Sequence, residues 1–255
     1  MLNWYKVRNK GEKATDVYIY DEISIYGITA ESFISDISDV KTPVINLHLN
    51  TPGGYVFDGF AIYNALQQHK SKVVVHIDGL AASAGSIIAM AGDEVKMAAN
   101  AFLMIHRPWS MVIGNASDMR NEAKVLDNIG GSLIDTYVKK TGLDHKVITD
   151  WLADETWFNA DEALKHGFVD AVVDDKEIEN KHNLNDFGNV PEQAKEYHDD
   201  KPTLRMAEQA LREAGFSRAA SKSILTGANR REAEGDDCLD LVNVIYSAKR
   251  RLKNG

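Results

Sequence analysis

Cysteine is almost missing from this chain: Cys238 stands alone among 255 residues. No internal disulfide can form, and a reducing compartment is the simplest expectation. Long apolar runs are also missing. The longest, Leu80 to Ala91, has 12 residues, against the ~18 that a membrane-spanning helix needs. The opening segment, "MLNWYKVRNKGEK", lacks the apolar centre of a signal peptide, so a cytoplasmic protein is expected. Positive charge is in deficit, with a formal net charge of -9, which argues against a general nucleic-acid binder and favours solubility. Neither G-x-x-x-x-G-K-[ST] nor G-x-G-x-x-G occurs, so nucleotide binding has no support. No cluster with metal-ligand spacing is visible, and no metal or cofactor is expected.

What is present is ordinary in bulk and informative in pattern. Hydrophobic residues make up 44% and charged residues 26%, typical of a globular protein long enough to bury a sizeable core. Residues 16–27, "DVYIYDEISIYG", alternate apolar and polar side chains and read as a strand or hairpin. A helix follows in "TAESFISDIS", with Thr29 as N-cap. "PVINLHLN" (43–50) reads as a strand ending at "TPGG". Beyond it Val56, Phe60, Tyr63 and Leu66 recur at helical spacing. "KVVVHID" (72–78) reads as a second buried strand, turning at Gly79 into another helix near Ser83. Two strand–glycine turn–helix units in succession indicate an α/β fold.

Further along, 95–98 and 101–105 read as short buried strands. Residues 117–140 form the longest helical candidate, with Met119, Leu126, Leu133 and Tyr137 on one stripe and Gly142 as terminator. "DHKVITDWLA" and "NADEALKHG" read as shorter helices, the second closed by Gly167, and 168–173 as a last strand. The expected organisation is a core domain over 1–175, a polar linker over 176–202 and a mostly helical accessory region over 203–255.

Ser83, in "GLAASAGS", is set among residues with almost no side chain. At the start of a helix its hydroxyl would lie near free backbone N–H groups. A serine nucleophile needs such donors for the oxyanion of its tetrahedral intermediate. A plain N-cap serine in a tightly packed turn explains the residue as well. In "NTPGG" (50–54) the glycines allow an amide to face a ligand, or simply make a tight turn. Of eight histidines, His106 follows a buried strand and precedes "RP", at a strand end where a site can open. His48 and His76 lie within strands and suit satisfied core positions. A third group would orient the imidazole. Asp154 and Glu155 are the candidates, and spacing alone does not choose between them or exclude a solvated edge.

"NTPGG", "GLAASAGS", "MIHRP" and "ADEALKHGFVD", in this order, resemble the Clp protease proteolytic subunit (ClpP) family over roughly residues 17–174. The N-terminal segment and the "DETWF" variant look most like phage and prophage relatives, including head maturation proteases. The resemblance implies a ClpP/crotonase-like α/β spiral of β-β-α units, with the long helix forming a ring-to-ring contact. It implies Ser83 as nucleophile and His106 as base, with the backbone N–H groups of Gly54 and Ala84 as the oxyanion hole. The family's acid falls on Glu155, where the family usually has Asp; Asp154 could replace it after a one-residue shift. A homo-oligomer of stacked rings acting on polypeptides is implied, with a separate AAA+ unfoldase or phage capsid and scaffold proteins as partners.

Two rival functions remain open. A crotonase-like thioester enzyme would use the glycine-turn amides without needing Ser83 and His106 together. A catalytically silent assembly protein would keep the ring fold without activity. Residues 203–227 also raise a helix-turn-helix, disfavoured because the region is not strongly basic.

Overall fold

The β-branched runs "ATDVYI", "VINLHLNT" and "KVVVHIDGLAA" form β2 (Ala14–Ile19), β3 (Val44–Thr51) and β4 (Lys72–Ala82). They do so in a computed structural model that describes residues 5–9, 13–25, 27–175, 182, 184 and 187–195. These strands are neighbours in a mixed sheet ordered β1-β2-β3-β4-β5-β8. Here β1 is Tyr5–Asn9, β5 Glu94–Ala98 and β8 Ala171–Val173. Pairing is parallel from β2 to β8, and β1 alone runs antiparallel on this path. Two further strands, β6 (Phe102–Ile105) and β7 (Thr156–Asn159), leave this path: β6 pairs with β4, and β7 lies antiparallel on β6. The architecture is the mixed α/β class with a mostly parallel sheet that the sequence pattern indicated.

Helices α1 (Ala30–Ser38) and α2 (Val56–Gln67) bury Phe33, Ile37, Ile62 and Leu66 in one cluster with Val17, Leu47, Leu49 and Val75 from the sheet. Each such side chain contributes roughly 1.5–3 kcal/mol through burial. Thr29 caps α1 as expected, its Oγ1 accepting from the Ser32 N–H at 3.2 Å. The connection from β4 leads into α3 (Ala84–Ala89), a fully buried single turn and a half. Helix α4 spans Ala116–Thr141 and stops at Gly142, whose φ of 71° is the left-handed conformation glycine adopts freely. Only its C-terminal half packs into the core: Leu133 and Tyr137 are buried, whereas Met119 is 51% exposed. α5 (His145–Ala153) and α6 (Ala160–Lys165) follow, and a short helix, α7 (Glu192–Lys195), is the last among the described residues.

Two expectations need correction, and one strand is an addition. Residues 16–27 do not form a hairpin; β2 stops at Ile19, and the hairpin is made with β1 instead. The chain leaves the sheet because Ser24, Gly27 and Ile28 close a tight turn through Ser24 N–H to Ile28 O and Gly27 N–H to Ser24 O. β4 does not end at Asp78 with a turn at Gly79; it continues to Ala82. It survives the glycine by changing neighbours: Val74–Ile77 pair with β5, and Leu80–Ala82 pair with β6. The strand β7 was not anticipated at all, since four residues of "TWFN" are too few to show a period.

The chain divides into two units, Met1–His198 and Asp199–Gly255. Within the stretch expected as polar linker, Leu184 and Ala194 are buried against Leu80, Ala82 and Met104 in a second apolar cluster. The expected helical region 203–255, the helix-turn-helix candidate and Cys238 lie outside the described residues. Among the described residues no helix is long and apolar enough to cross a membrane.

Candidate active site

Two turns meet at the point where β4 changes neighbours. Ser83 follows β4 directly with φ 52° and ψ -121°, an unusual conformation for a residue with a side chain. Such strain persists only where the surroundings enforce it. Here the Ser83 N–H donates to Met104 O at 3.0 Å, tying the end of β4 to the end of β6. Ser86 adds a second hold: its Oγ donates to Ser83 O at 2.6 Å and lies 2.8 Å from the buried Tyr137 hydroxyl. Burial pushes the Tyr137 phenol upward, so it remains protonated.

The "NTPGG" turn lies against this serine. A Cβ on Gly53 would fall 2.6 Å from Ala82 O and 2.7 Å from Ala84 N, and Gly53 has φ 92°. A Cβ on Gly54 would fall 2.1 Å from Ile23 O. Glycine is required at both positions because backbone approaches backbone there. The turn is fixed by Thr51, whose Oγ1 donates to Asp21 O at 2.7 Å and accepts from Gly53 N–H at 3.1 Å. The Gly53 carbonyl accepts from Ile23 N–H and the Ile23 carbonyl from Tyr55 N–H. Between these bonds the Gly54 N–H makes none with another described residue, and neither does that of Ala84, which opens α3.

His106 follows β6, and its Nε2 lies 2.8 Å from Ser83 Oγ. The two residues the sequence singled out as nucleophile and base are therefore brought together, with the Gly53–Gly54 turn against the serine. Among the described residues, His48 and His76 stand apart from this pair. His48 and His76 stack at 4.7 Å on the sheet, and His48 Nδ1 meets Asp78 Oδ2 at 2.8 Å.

The acid candidates are placed differently. Asp154 is exposed and caps the C-terminus of α5. Glu155 is half-buried with φ 49°. The β6–β7 register, Ile105 opposite Thr156, makes His106 and Glu155 the next positions on the two strands. Yet the Glu155 carboxylate accepts from the backbone N–H groups of Gly188 at 2.9 Å and Asn189 at 2.7 Å, and from Trp157 Nε1 at 3.3 Å. No hydrogen bond joins it to His106 among the described residues. Beside it the Phe187 ring meets the His106 ring edge-on at 5.6 Å. Sequence reasoning missed Phe187, Gly188 and Asn189. The available signal was the spacing of Leu184, Phe187 and Val190, three residues apart in an otherwise polar stretch.

A serine hydroxyl on an imidazole, at a strained strand-to-helix turn beside a double-glycine turn, is an arrangement able to support nucleophilic chemistry. The family model described as Clp protease matches residues 3–176. The chain belongs to the Clp protease family. It is 32% identical over 179 residues to the "ATP-dependent Clp protease proteolytic subunit" of Deinococcus radiodurans, covering 65% of this chain and 88% of that protein. The activity is that of a ClpP-type peptidase, and the Clp family match stops short of Leu184–Asn189. Among the described residues no group of three His, Cys, Asp or Glu side chains is arranged to hold a metal ion.

Proposed function

We propose that this Clp-family chain is a serine endopeptidase in which Ser83 is the nucleophile, His106 the general base, and the Gly54 and Ala84 N–H groups the oxyanion hole. The observation that carries the reading is the 2.8 Å contact between His106 Nε2 and Ser83 Oγ. In the reaction, Nε2 takes the Oγ proton as Oγ attacks the peptide carbonyl carbon. The carbonyl oxygen becomes an oxyanion facing the two amides. The imidazolium then gives its proton to the leaving amine as the C–N bond breaks, leaving an acyl ester on Ser83. Water, deprotonated by His106, attacks that ester, and the imidazolium returns its proton to Ser83 Oγ as the C–O bond breaks and the acid leaves. Glu155 holds the site in shape through the turn at Gly188 and Asn189.

Polypeptide is the substrate class, bound extended along strand edges beside Ser83. The loop after His106 exposes Trp109, Met111 and Ile113, the last at 95%. Exposed apolar side chains of this kind favour a surface covered in use. A homo-oligomeric ring is supported by a second apolar surface, an open groove of 410 Å³ lined by Phe57, Phe60, Val125, Asn128, Ile129 and Ser132. Any unfoldase ATPase would be a separate chain in the cytoplasm. The phage-like N-terminal segment favours processing of phage or prophage proteins over ATPase-assisted degradation.

The test is a serine-reactive fluorophosphonate. Labelling of the assembled wild type, abolished in Ser83→Ala and reduced at least roughly 10³-fold in His106→Ala, is the expected result. Absence of labelling in the wild type, or a label that survives Ser83→Ala, would overturn the reading and return the thioester or silent assembly alternatives.

A further inference from the structure

The residues on the far side of His106 belong to no part of the Clp family match, which ends at residue 176. Yet Phe187 meets the imidazole, and Gly188 and Asn189 engage Glu155. We propose that Phe187, Gly188 and Asn189 form a positioning clamp for His106, with the Glu155 carboxylate as its anchor. This rests on the reading of Ser83 and His106 as the reacting pair.

Glu155 holds this turn with both oxygens: Oε2 accepts from Gly188 N–H at 2.9 Å and Oε1 from Asn189 N–H at 2.7 Å. Two charge-assisted bonds to consecutive amides fix the backbone more firmly than neutral bonds do. Asn189 Nδ2 adds a third tie, donating to Asp154 O at 2.7 Å. The residue before these amides, Phe187, is thereby set with its ring edge-on to His106 at 5.6 Å and to Trp157 at 5.8 Å. Edge-to-face pairing is the favoured arrangement for such rings. The segment is also rooted. Leu184 is 1% exposed against Leu80, Ala82 and Met104, on the two strands that deliver Ser83 and His106. His182 Nε2 lies 2.7 Å from Asn50 O, at the start of the "NTPGG" turn.

The chemical need is clear. His106 stands just past the end of β6, and its ring has to keep Nε2 on Ser83 Oγ through each proton transfer. A displacement of about 1 Å in a catalytic group can cost about 10²-fold in rate. Phe187 walls the ring from one side, and Glu155 keeps Phe187 in place. Glu155 is thus a positioning residue that works through the turn it grips.

The experiment uses the full chain and four variants: Phe187→Ala, Phe187→Leu, Glu155→Gln and the Phe187→Ala/Glu155→Gln pair. Fluorophosphonate labelling rates are measured across pH, and amide hydrogen exchange is followed over 187–195. Glu155→Gln preserves shape but leaves one acceptor oxygen in place of two. A loss of about tenfold or more is expected in Phe187→Ala, with partial recovery in Phe187→Leu. Glu155→Gln should show a similar loss and faster exchange at Gly188 and Asn189, and the double variant should be no worse than the poorer single. The clamp is overturned by a Phe187→Ala rate within about twofold of wild type, or by unchanged exchange in Glu155→Gln. It is equally overturned if the losses multiply. So too if Glu155→Gln alone moves the acid limb of the pH profile to lower pH, the mark of a carboxylate acting directly on the imidazole. Failure of the reacting pair is recognised separately, by a wild type that takes no label, while exchange reports the anchor whatever the chemistry.

Discussion

Ser83 is strained; Gly53 lets the neighbouring turn close against it, and Gly54 lets that turn close against Ile23. Alanine at Gly54 would put a Cβ 2.1 Å from Ile23 O at φ 143°, a position that strains any side chain. Gly54→Ala is expected to lower fluorophosphonate labelling by roughly 10²-fold, since the oxyanion donor proposed at Gly54 is displaced. Gly130→Ala is the contrast, because outside its own helical turn no described residue lies within 4 Å of a Cβ placed there. It should raise stability by about 0.5–1 kcal/mol in denaturant unfolding. Tyr20 offers a pH test. Burial and the 2.6 Å hydrogen bond from its hydroxyl to Asp78 Oδ2 raise its pKa above the ordinary phenol value. A raised folded pKa means stabilisation that is complete below the unfolded value, near 10, and is lost as pH rises beyond it. The stability advantage of wild type over Tyr20→Phe should therefore hold at pH 8 and shrink steadily above pH 10, followed by melting temperature. A widening gap would refute the sign. Ser83 and His106 stood out in the sequence because a serine among small residues and a histidine at a strand end are local signals, whereas Gly54 and Ala84 were named through the family resemblance. The hold on Glu155 was not, because its partners are amides 33 and 34 positions away.

Elements deliver these residues, and their ends carry testable energy. Asn115 caps α4 with Oδ1 on the Ser117 and Asp118 N–H groups at 2.8 and 3.3 Å, and Asp118 returns a bond to the Asn115 N–H. Asn115→Ala should cost about 1 kcal/mol of stability, read from the unfolding midpoint, and leave labelling of Ser83 unchanged. At the other end of the same helix Tyr137 reaches Ser86, which holds the Ser83 carbonyl. Tyr137→Phe should cost about 1 kcal/mol, because Ser86 keeps its bond to the carbonyl. The span of α4 was readable within a residue at each end, since a long amphipathic stripe and a terminal glycine are local signals. The course of β4 beyond Gly79 was not. A glycine in an apolar run reads as a turn, and only its pairing with β6 extends the strand.

At the scale of the molecule, apolar surface remains uncovered. Phe57 is 66% exposed and Val125 46%, facing one groove between α2 and α4. If copies of the chain cover that groove, Phe57→Asp and Val125→Glu should each shift size-exclusion and mass measurements toward smaller species, with α/β circular dichroism preserved. Unchanged assembly in both would place the ring contact elsewhere. By itself the sequence determined the α/β alternation and the Clp family, because strand and helix periods and short motifs are written in local spacing. Tertiary structure alone decided that Ser83 and His106 lie 2.8 Å apart and that Glu155 grips a turn beyond the Clp-family match. Those are contacts between segments distant in the chain, and the pairing of β4 with β6 and the burial of Leu184 select them, which no run of neighbouring residues encodes.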